Sequence, residues 1–137
     1  FDDLVGTNLR APLFLSQAAA PALREARGLI INMVDIHGRR PLKAHPVYSA
    51  AKAGLVMLTK SLARELGPEV RVNAIAPGPV LWPERDLEAA LKDEIIAKTA
   101  LKRSGSPEDI ARTAWFFAVE APYVTGQVIA VDGGRSL

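Results

Sequence analysis

The chain has 137 residues, of which 49% are hydrophobic and 23% are charged, and its formal net charge at pH 7 is +2. These values are ordinary for one globular domain, and the basic residues are spread along the chain, so neither a nucleic acid nor a membrane surface is expected as a partner. Without cysteine there is no disulfide or thiolate metal site, and two histidines, His37 and His45, are too few for a zinc site, so no metal is expected. No apolar run reaches the ~18 residues of a membrane helix, and a cytoplasmic location is expected.

Helix and strand patterns alternate along the chain. Residues 29–34 are a continuous apolar, β-branched run, which is typical of a strand buried on both faces. Apolar positions at helical spacing predict helices over 7–26, 46–66, 84–101 and 106–120, and shorter apolar runs predict further strands over 70–77 and 126–134. Because the helices are long enough to be crossovers, this order predicts an α/β fold with three parallel strands and right-handed connections.

A carboxylate, a phenol and an amine occupy positions that favour a catalytic site. Tyr48 and Lys52 are four residues apart on predicted helix 46–66 and so share one face. A phenol with an ordinary pKa of about 10 exchanges protons poorly at neutral pH, but a neighbouring ammonium favours the phenolate and lowers that pKa. Asp35 follows strand 29–34, at the sheet edge where ligands bind in open α/β folds. A Tyr and a Lys at this spacing also occur on ordinary helix surfaces, but here they are flanked by small residues: Ser49, Ala50, Ala51, Ala53 and Gly54.

Asn8 stands four residues before Pro12 on predicted helix 7–26. Proline has no N–H, so the carbonyl of Asn8 loses its usual helical partner. A carbonyl freed in this way marks either a simple kink or an acceptor for an ordered water, and the residues alone favour the kink.

Taken together, these segments resemble the C-terminal half of the short-chain dehydrogenase/reductase family. The resemblance rests on the stretches TNLRAPLFL, YSAAK, NAIAPGPV, SGSPEDIA and VTGQVIAVDGG, in this order. It implies a Rossmann-like, doubly wound parallel sheet in which Tyr48 donates a proton, while Lys52 binds the nicotinamide ribose and lowers the pKa of the Tyr. It also implies that the Asn8 carbonyl holds a water linked to the Lys, and that Pro77 and Gly78 pack against the nicotinamide.

Asp35 departs from the serine that most members of this family have at the same place. A carboxylate would repel the oxyanion of a ketone and suits a substrate that offers N–H donors. Asp35, the RPL stretch at 40–42 and PGPVLWPE at 77–84 resemble the pteridine reductase branch. That resemblance implies NADPH-dependent reduction of a dihydropterin or dihydrofolate, with the proton from Tyr48 or through Asp35, and with Pro79, Leu81 and Trp82 against the pterin. The alternative is that Asp35 only caps N–H groups of the following loop.

The resemblance leaves the N-terminal half of the family's domain unmatched. The chain has neither the Gly-rich phosphate turn nor the Asn-Asn-Ala-Gly strand, and it opens without an initiator Met. We therefore expect residues 1–137 to be the C-terminal catalytic part of one longer domain, with an exposed apolar edge at strand 29–34. The family forms dimers and tetramers, which implies a homo-oligomer through helices 7–26 and 46–66. Two alternatives stay open: reduction of a 3-oxoacyl or similar ketone, and a non-catalytic oligomerisation module.

Overall fold

The computed structural model of the protein describes residues 1–80 and 88–137. Its helical segments are α1 (Asp2–Val5), a π-helical segment (Gly6–Arg10), α2 (Ala11–Ala26), a 3-10 turn (Ile36–Gly38), α3 (Pro46–Leu66), α4 (Ala89–Ala97), α5 (Pro107–Trp115) and a second π-helical segment (Phe116–Glu120). Its strands are β1 (Leu29–Met33), β2 (Arg71–Pro77) and β3 (Val128–Val131). Among the described residues, no helix has the length and apolar character needed to cross a bilayer.

The strands form one parallel sheet in the order β1-β2-β3. Leu29 of β1 lies opposite Arg71 of β2, and Ala74 of β2 lies opposite Val128 of β3. The predicted fold class, a three-stranded parallel sheet with flanking helices, is confirmed. Parallel pairing brings the carboxyl ends of all three strands to one edge of the sheet, where the loops that follow them can meet.

The core lies between α3 and the central strand β2. One buried cluster joins the end of β1 to α3 and β2 and consists of Val34, Ile36, Leu55, Val56, Ala74 and Ala76. A polar link in the same layer joins β1 to α3, because the Asn32 side chain donates to Thr59 Oγ1 at 2.9 Å and that hydroxyl donates to the Leu55 carbonyl at 2.8 Å. Helix α3 is thus fixed in both position and rotation against the sheet, which fixes the residues of its first turns.

Two expected features of the elements need correction. Strand 29–34 does not have both faces buried: β1 is mostly half-buried, and Met33 is 45% exposed, because β1 is an edge strand of the described sheet. Trp115 lies on the apolar face of predicted helix 106–120, which favours a core position, but no residue of α5 is buried and Trp115 is 60% exposed, while Phe117 is completely buried. The helix continues through residues 116–120 with a π-helical turn, which changes the face that each of these residues presents.

Gly78, just after β2, is required for space rather than for its backbone angles. A Cβ on Gly78 would lie 2.6 Å from Cβ and 2.7 Å from Cα of Asp132, at the end of β3. Gly78→Ala should lower the free energy of unfolding by about 1–3 kcal/mol, since a backbone must move to admit the methyl group. Urea titration measures this change. The matched control is Gly6→Ala, whose Cβ meets only the movable end of the Arg10 side chain at 3.3 Å. An equal loss in both variants would contradict this explanation.

Arg71, the first residue of β2, binds the end of the helix that runs through α5. Its guanidinium donates to the carbonyls of Phe117 at 2.7 Å and Ala121 at 3.1 Å, which are among the carbonyls that a helix end leaves without partners. Arg71→Met keeps most of the stem but removes these bonds, and we expect thermal unfolding to show a loss of about 1.5–3 kcal/mol. Arg112→Met removes a guanidinium from an exposed position of α5 and should cost less than about 0.5 kcal/mol. Similar losses of stability in the two variants would show that the stability depends on the positive charge and not on the hydrogen bonds of Arg71.

Candidate active site

The turn after β1 presents Asp35. Asp35 has an extended backbone and is the N-terminal cap of the 3-10 turn Ile36–Gly38, where its Oδ1 accepts a hydrogen bond from the His37 N–H at 2.8 Å. This cap is the alternative role that the sequence left open for Asp35. It engages only one of the two carboxylate oxygens, so Oδ2 remains able to bind a second group.

That second group is the hydroxyl of Tyr48. Helix α3 begins at Pro46, so Tyr48 lies in its first turn and faces the turn after β1. Its hydroxyl donates to Asp35 Oδ2 at 2.6 Å, although the two residues are 13 positions apart in sequence. The carboxylate is therefore both a loop cap and the hydrogen-bond acceptor of the phenol.

The electrostatics of the Tyr48 hydroxyl differ from the expectation drawn from the sequence. The pKa of Tyr48 is raised above its ordinary value, first because burial disfavours the phenolate and then because Asp35 accepts its hydrogen bond and repels a second negative charge. The expected lowering by Lys52 is wrong for this structure. Burial of the phenol and the anion bonded to its hydroxyl act in the same direction, and both raise the pKa of Tyr48.

Lys52 is held close to the pair but bonds elsewhere. Its Nζ donates to the Met33 carbonyl at 3.0 Å and lies 5.8 Å from the centroid of the Tyr48 ring. Burial lowers the pKa of Lys52, and the charge of Asp35 partly offsets this effect. The helical spacing thus brings Tyr48 and Lys52 to one face, as the sequence predicts, with the ammonium at the carboxyl end of β1.

Asn8 and Lys52 line the same groove, which has a volume of about 430 Å³ and runs along β1. Asn8 lies in the π-helical segment, and its side chain donates to the Leu4 carbonyl at 3.0 Å. At the end of this segment the N–H of Ala11 donates to the Gly6 carbonyl, five residues back. The helix therefore widens here rather than simply kinking before Pro12. The sequence left a kink and a water site as the alternatives, and the π-helical turn was not foreseen.

Three further predicted site residues, Pro77, Gly78 and Pro79, lie near the ends of β2 and β3. Pro77 is the last residue of β2, and the Gly78 N–H donates to the Val131 carbonyl at 3.0 Å. Pro79 lines a second groove of about 640 Å³, beside α5 and β3, and its carbonyl accepts from the Ser104 hydroxyl at 2.8 Å. Leu81 and Trp82, the residues predicted to cover a pterin, lie outside the described residues.

Sequence reasoning missed two residues that contribute to the site. They are His37, whose N–H donates to Asp35, and Gly38, where the turn lies against the backbone of α3. The sequence places His37 in the polar loop after strand 29–34, which favours a solvated side chain, yet its N–H holds Asp35, and its ring Nδ1 lies 3.1 Å from the Arg40 carbonyl. The stretch Asp-Ile-His-Gly did contain a signal, since an Asp followed by a short turn commonly caps the N–H two residues on. Within the described ranges, no group of three histidine, aspartate or glutamate side chains could hold a metal ion.

Comparison with known proteins agrees with this architecture. A family model described as enoyl-(acyl carrier protein) reductase matches residues 1–136. The 3-oxoacyl-[acyl-carrier-protein] reductase FabG of Staphylococcus epidermidis is 41% identical over 98% of this chain and 57% of its own length. The 7alpha-hydroxysteroid dehydrogenase of Bacteroides fragilis is 36% identical over 100% of this chain and 55% of its own length.

Solved structures give the same result. The crystal structure of a short chain dehydrogenase from Leptospira borgpetersenii with bound NAD+ has a TM-score of 0.90 and 32% identity, over 100% of this chain and 56% of that one. The chain thus spans a little more than half the length of the relatives it matches. With sequence and fold in agreement along its whole length, the chain belongs to the short-chain dehydrogenase/reductase family.

Proposed function

We propose that this chain is the proton-handling, C-terminal part of an NAD(P)(H)-dependent oxidoreductase that interconverts a carbonyl and a hydroxyl group. The observation that carries the proposal is the arrangement of a protonated phenol, Tyr48, beside the Lys52 ammonium at the carboxyl end of β1. Two relatives of this chain are named as a 3-oxoacyl reductase and a hydroxysteroid dehydrogenase, names that refer to carbonyl and hydroxyl groups. These names support carbonyl chemistry better than the pteridine branch, which Asp35 and the stretches at 40–42 and 77–84 suggested.

The residues present fit the ribose end of a nicotinamide nucleotide. The Lys52 ammonium has three N–H donors, one of which is directed to the Met33 carbonyl, and the side chain lines the groove beside β1. Lys52 and the Tyr48 hydroxyl would therefore hold ribose hydroxyls. Such a nucleotide supplies a hydride when bound. The sequence predicts NADPH, whereas the Leptospira relative is named with NAD+, so both nucleotides belong in the test.

In this proposal Tyr48 supplies the proton that a reduced carbonyl oxygen requires. The phenol is protonated at neutral pH, as a free phenol would be, and burial and Asp35 both raise its pKa further. As the carbonyl carbon gains a hydride, the oxygen gains negative charge and takes the proton from the Tyr48 hydroxyl. The hydroxyl must then turn from Asp35 Oδ2 towards the substrate, so Asp35 competes with the substrate for the same hydrogen bond.

Reduction of a pteridine is the second candidate, and the carboxylate of Asp35 is the observation that favours it. Asp35 Oδ2 already accepts a hydrogen bond from Tyr48 at 2.6 Å, so an N–H donor on a substrate would find an acceptor in the same place. A ketone oxygen would find a negative charge instead. Dihydropterins and dihydrofolates present N–H groups next to a reducible C=N bond.

The proposal also includes a homo-oligomer, formed through the surfaces of α2 and α3. Phe14 on α2 is 56% exposed and Met57 on α3 is 59% exposed. Large apolar side chains on neighbouring helices favour burial against another protein surface. An assembly that bound neither nucleotide nor substrate would instead support the non-catalytic alternative.

The test combines an intact-mass measurement with ligand binding and turnover on the native protein. NADPH and NADH are titrated separately by their fluorescence, and the nucleotide that binds is then used with a 3-oxoacyl thioester and with dihydrobiopterin. Preferred turnover of the thioester supports the proposal, and preferred turnover of dihydrobiopterin supports the second candidate. No saturable binding of either nucleotide would overturn both.

A further inference from the structure

The turn that carries Asp35 rests directly on the backbone of α3. A Cβ built on Gly38 would lie 3.0 Å from both the carbonyl carbon and the carbonyl oxygen of Lys52, and 3.3 Å from the backbone nitrogen of Ala53. Gly38 is not among the described glycines with positive φ, so its backbone conformation is open to other residues. The requirement for glycine here is therefore space between two segments of main chain.

This contact lies one helical turn from Tyr48, because Lys52 follows Tyr48 by four residues. Asp35 begins the same short turn, and the Gly38 N–H donates to the Asp35 carbonyl at 2.9 Å. Main-chain contact at Gly38 and the side-chain bond from Tyr48 to Asp35 thus join the same two segments. A shift of the turn away from α3 would move Asp35 away from the Tyr48 hydroxyl.

Two other contacts hold the loop on α3. Neither of them sets the distance between the main chain of the turn and the main chain of α3, which depends on Gly38. Ile36 is buried in the core cluster with Leu55 and Val56, which anchors the turn from below. Further along the loop, the Leu42 N–H donates to the Ser49 hydroxyl at 3.1 Å. Between these anchors, Gly38 is where the loop main chain reaches the helix main chain.

We propose that Gly38 is a positioning residue, which holds the Asp35 carboxylate on the Tyr48 hydroxyl by letting the turn lie on the backbone of α3 at Lys52. Gly38 itself handles no proton and contacts no substrate. Gly38 acts on the Tyr48 hydroxyl only through Asp35. Replacing Gly38 should therefore have no effect on that hydroxyl once Asp35 no longer carries a charge. This inference does not depend on the proposed reaction.

The proposal concerns the proton of Tyr48, and the groups that act on it are few. Asp35 approaches from the turn, and Lys52 lies beside the ring on α3 itself. His37 is also on the turn, but its ring Nδ1 lies against the Arg40 carbonyl. Displacing the turn therefore removes the anion from the phenol while the ammonium, which is carried by α3, stays in place.

The test is an alkaline NMR titration of the native protein labelled with [ζ-13C]tyrosine, in which Tyr48→Phe assigns the Tyr48 signal. Gly38→Ala should lower the titration midpoint of Tyr48, and Gly38→Val should lower it further, because each variant pushes the turn off the helix. The matched control is Gly54→Ala on the same helix, whose Cβ meets the end of the Leu9 side chain at 2.9 Å rather than a backbone. It should leave the midpoint unchanged.

A second pair of variants separates positioning from general disturbance. Asp35→Asn should lower the Tyr48 midpoint by itself, and adding Gly38→Ala to Asp35→Asn should lower it no further. The proposal is overturned if the Gly38 variants leave the midpoint unchanged, if Gly54→Ala lowers it equally, or if Gly38→Ala still lowers it beside Asn at position 35. If Gly38→Val does not fold, Gly38→Ala and the double variant decide. The titration needs no nucleotide and no turnover, so its failure is distinct from failure of the proposed function.

Discussion

Replacing Asp35 with serine should raise kcat/KM for a ketone substrate by about tenfold to a hundredfold. In the native site the carboxylate accepts the Tyr48 hydrogen bond at 2.6 Å and places a negative charge where the carbonyl oxygen gains its own. Two like charges about 4 Å apart repel by roughly 4 kcal/mol near a protein surface, and a hydroxyl donor at an oxyanion is worth about 10²–10³ in rate. Serine removes the repulsion and adds the donor, but it also removes the carboxylate that caps the turn at His37. The expected gain in kcat/KM is therefore smaller than either effect alone would give. Steady-state kinetics with a 3-oxoacyl thioester measures it.

Asp35→Ala separates the two contributions, since alanine removes the charge without adding a donor. We expect a gain for Asp35→Ala that is smaller than the gain for Asp35→Ser. A fall in ketone reduction in both variants would mean that the carboxylate takes part in the reaction itself. If dihydropterin turnover fell at the same time, the second candidate function would replace the first.

The pattern of the chain was enough to predict the sheet and the exposed edge at β1, but not how much of each face of β1 is covered. Apolar runs identified β1, β2 and β3 because each is short, β-branched and bounded by turn residues. An apolar run cannot show how many neighbours a strand has, so β1 was expected to be buried on both faces although it lies at an edge of the described sheet. Trp115 lies on an apolar helix face, but periodicity cannot show whether another element covers that face, and no residue of α5 is buried. The π-helical segment that begins at Phe116 shifts the face of the residues after it, which a pattern that assumes an unbroken α-helix does not predict.

The residues of the site were predictable, whereas their electrostatics were not. Spacing on one helix brought Tyr48 and Lys52 together, and the position of Asp35 after β1 placed it at the same edge of the sheet. The direction in which the Tyr48 pKa shifts depends first on how deeply the phenol is buried and then on its hydrogen bond to Asp35, and both depend on distances of a few ångströms. The cap at His37 and the close approach at Gly38 determine those distances. The cap could have been suspected from the Asp-Ile-His-Gly stretch, whereas the close approach at Gly38 joins two segments of main chain and leaves no such sign in the sequence.

Tyr48→Phe should reduce turnover by about 10²–10⁴, the usual contribution of a positioned general acid, and should leave nucleotide binding weakened but measurable through Lys52. Steady-state kinetics and a fluorescence titration of the same sample separate these two effects. The phenylalanine ring keeps the packing of the first turn of α3, so a folded variant is expected. Turnover within about threefold of the native protein would show that another group donates the proton, and the path through Asp35 would be the first to examine.

The same variant should also remove a pH-dependent part of the stability, and the sign of this effect follows from the raised pKa of Tyr48. A group whose pKa is higher in the folded state stabilises the fold below its unfolded pKa, about 10 for Tyr, and this stabilisation is lost as the pH rises further. Lys52 acts in the opposite direction, because its pKa is lowered on folding and the penalty for burying its charge disappears as the pH rises. Since Lys52 and the fully exposed Tyr123 are present in both proteins, the difference in unfolding free energy between native and Tyr48→Phe isolates the phenol. Urea titrations should give a constant difference from pH 7 to 9 and a narrowing one above about pH 10. A difference that stays constant through that range would mean that neither burial nor Asp35 raises the pKa of Tyr48 in solution.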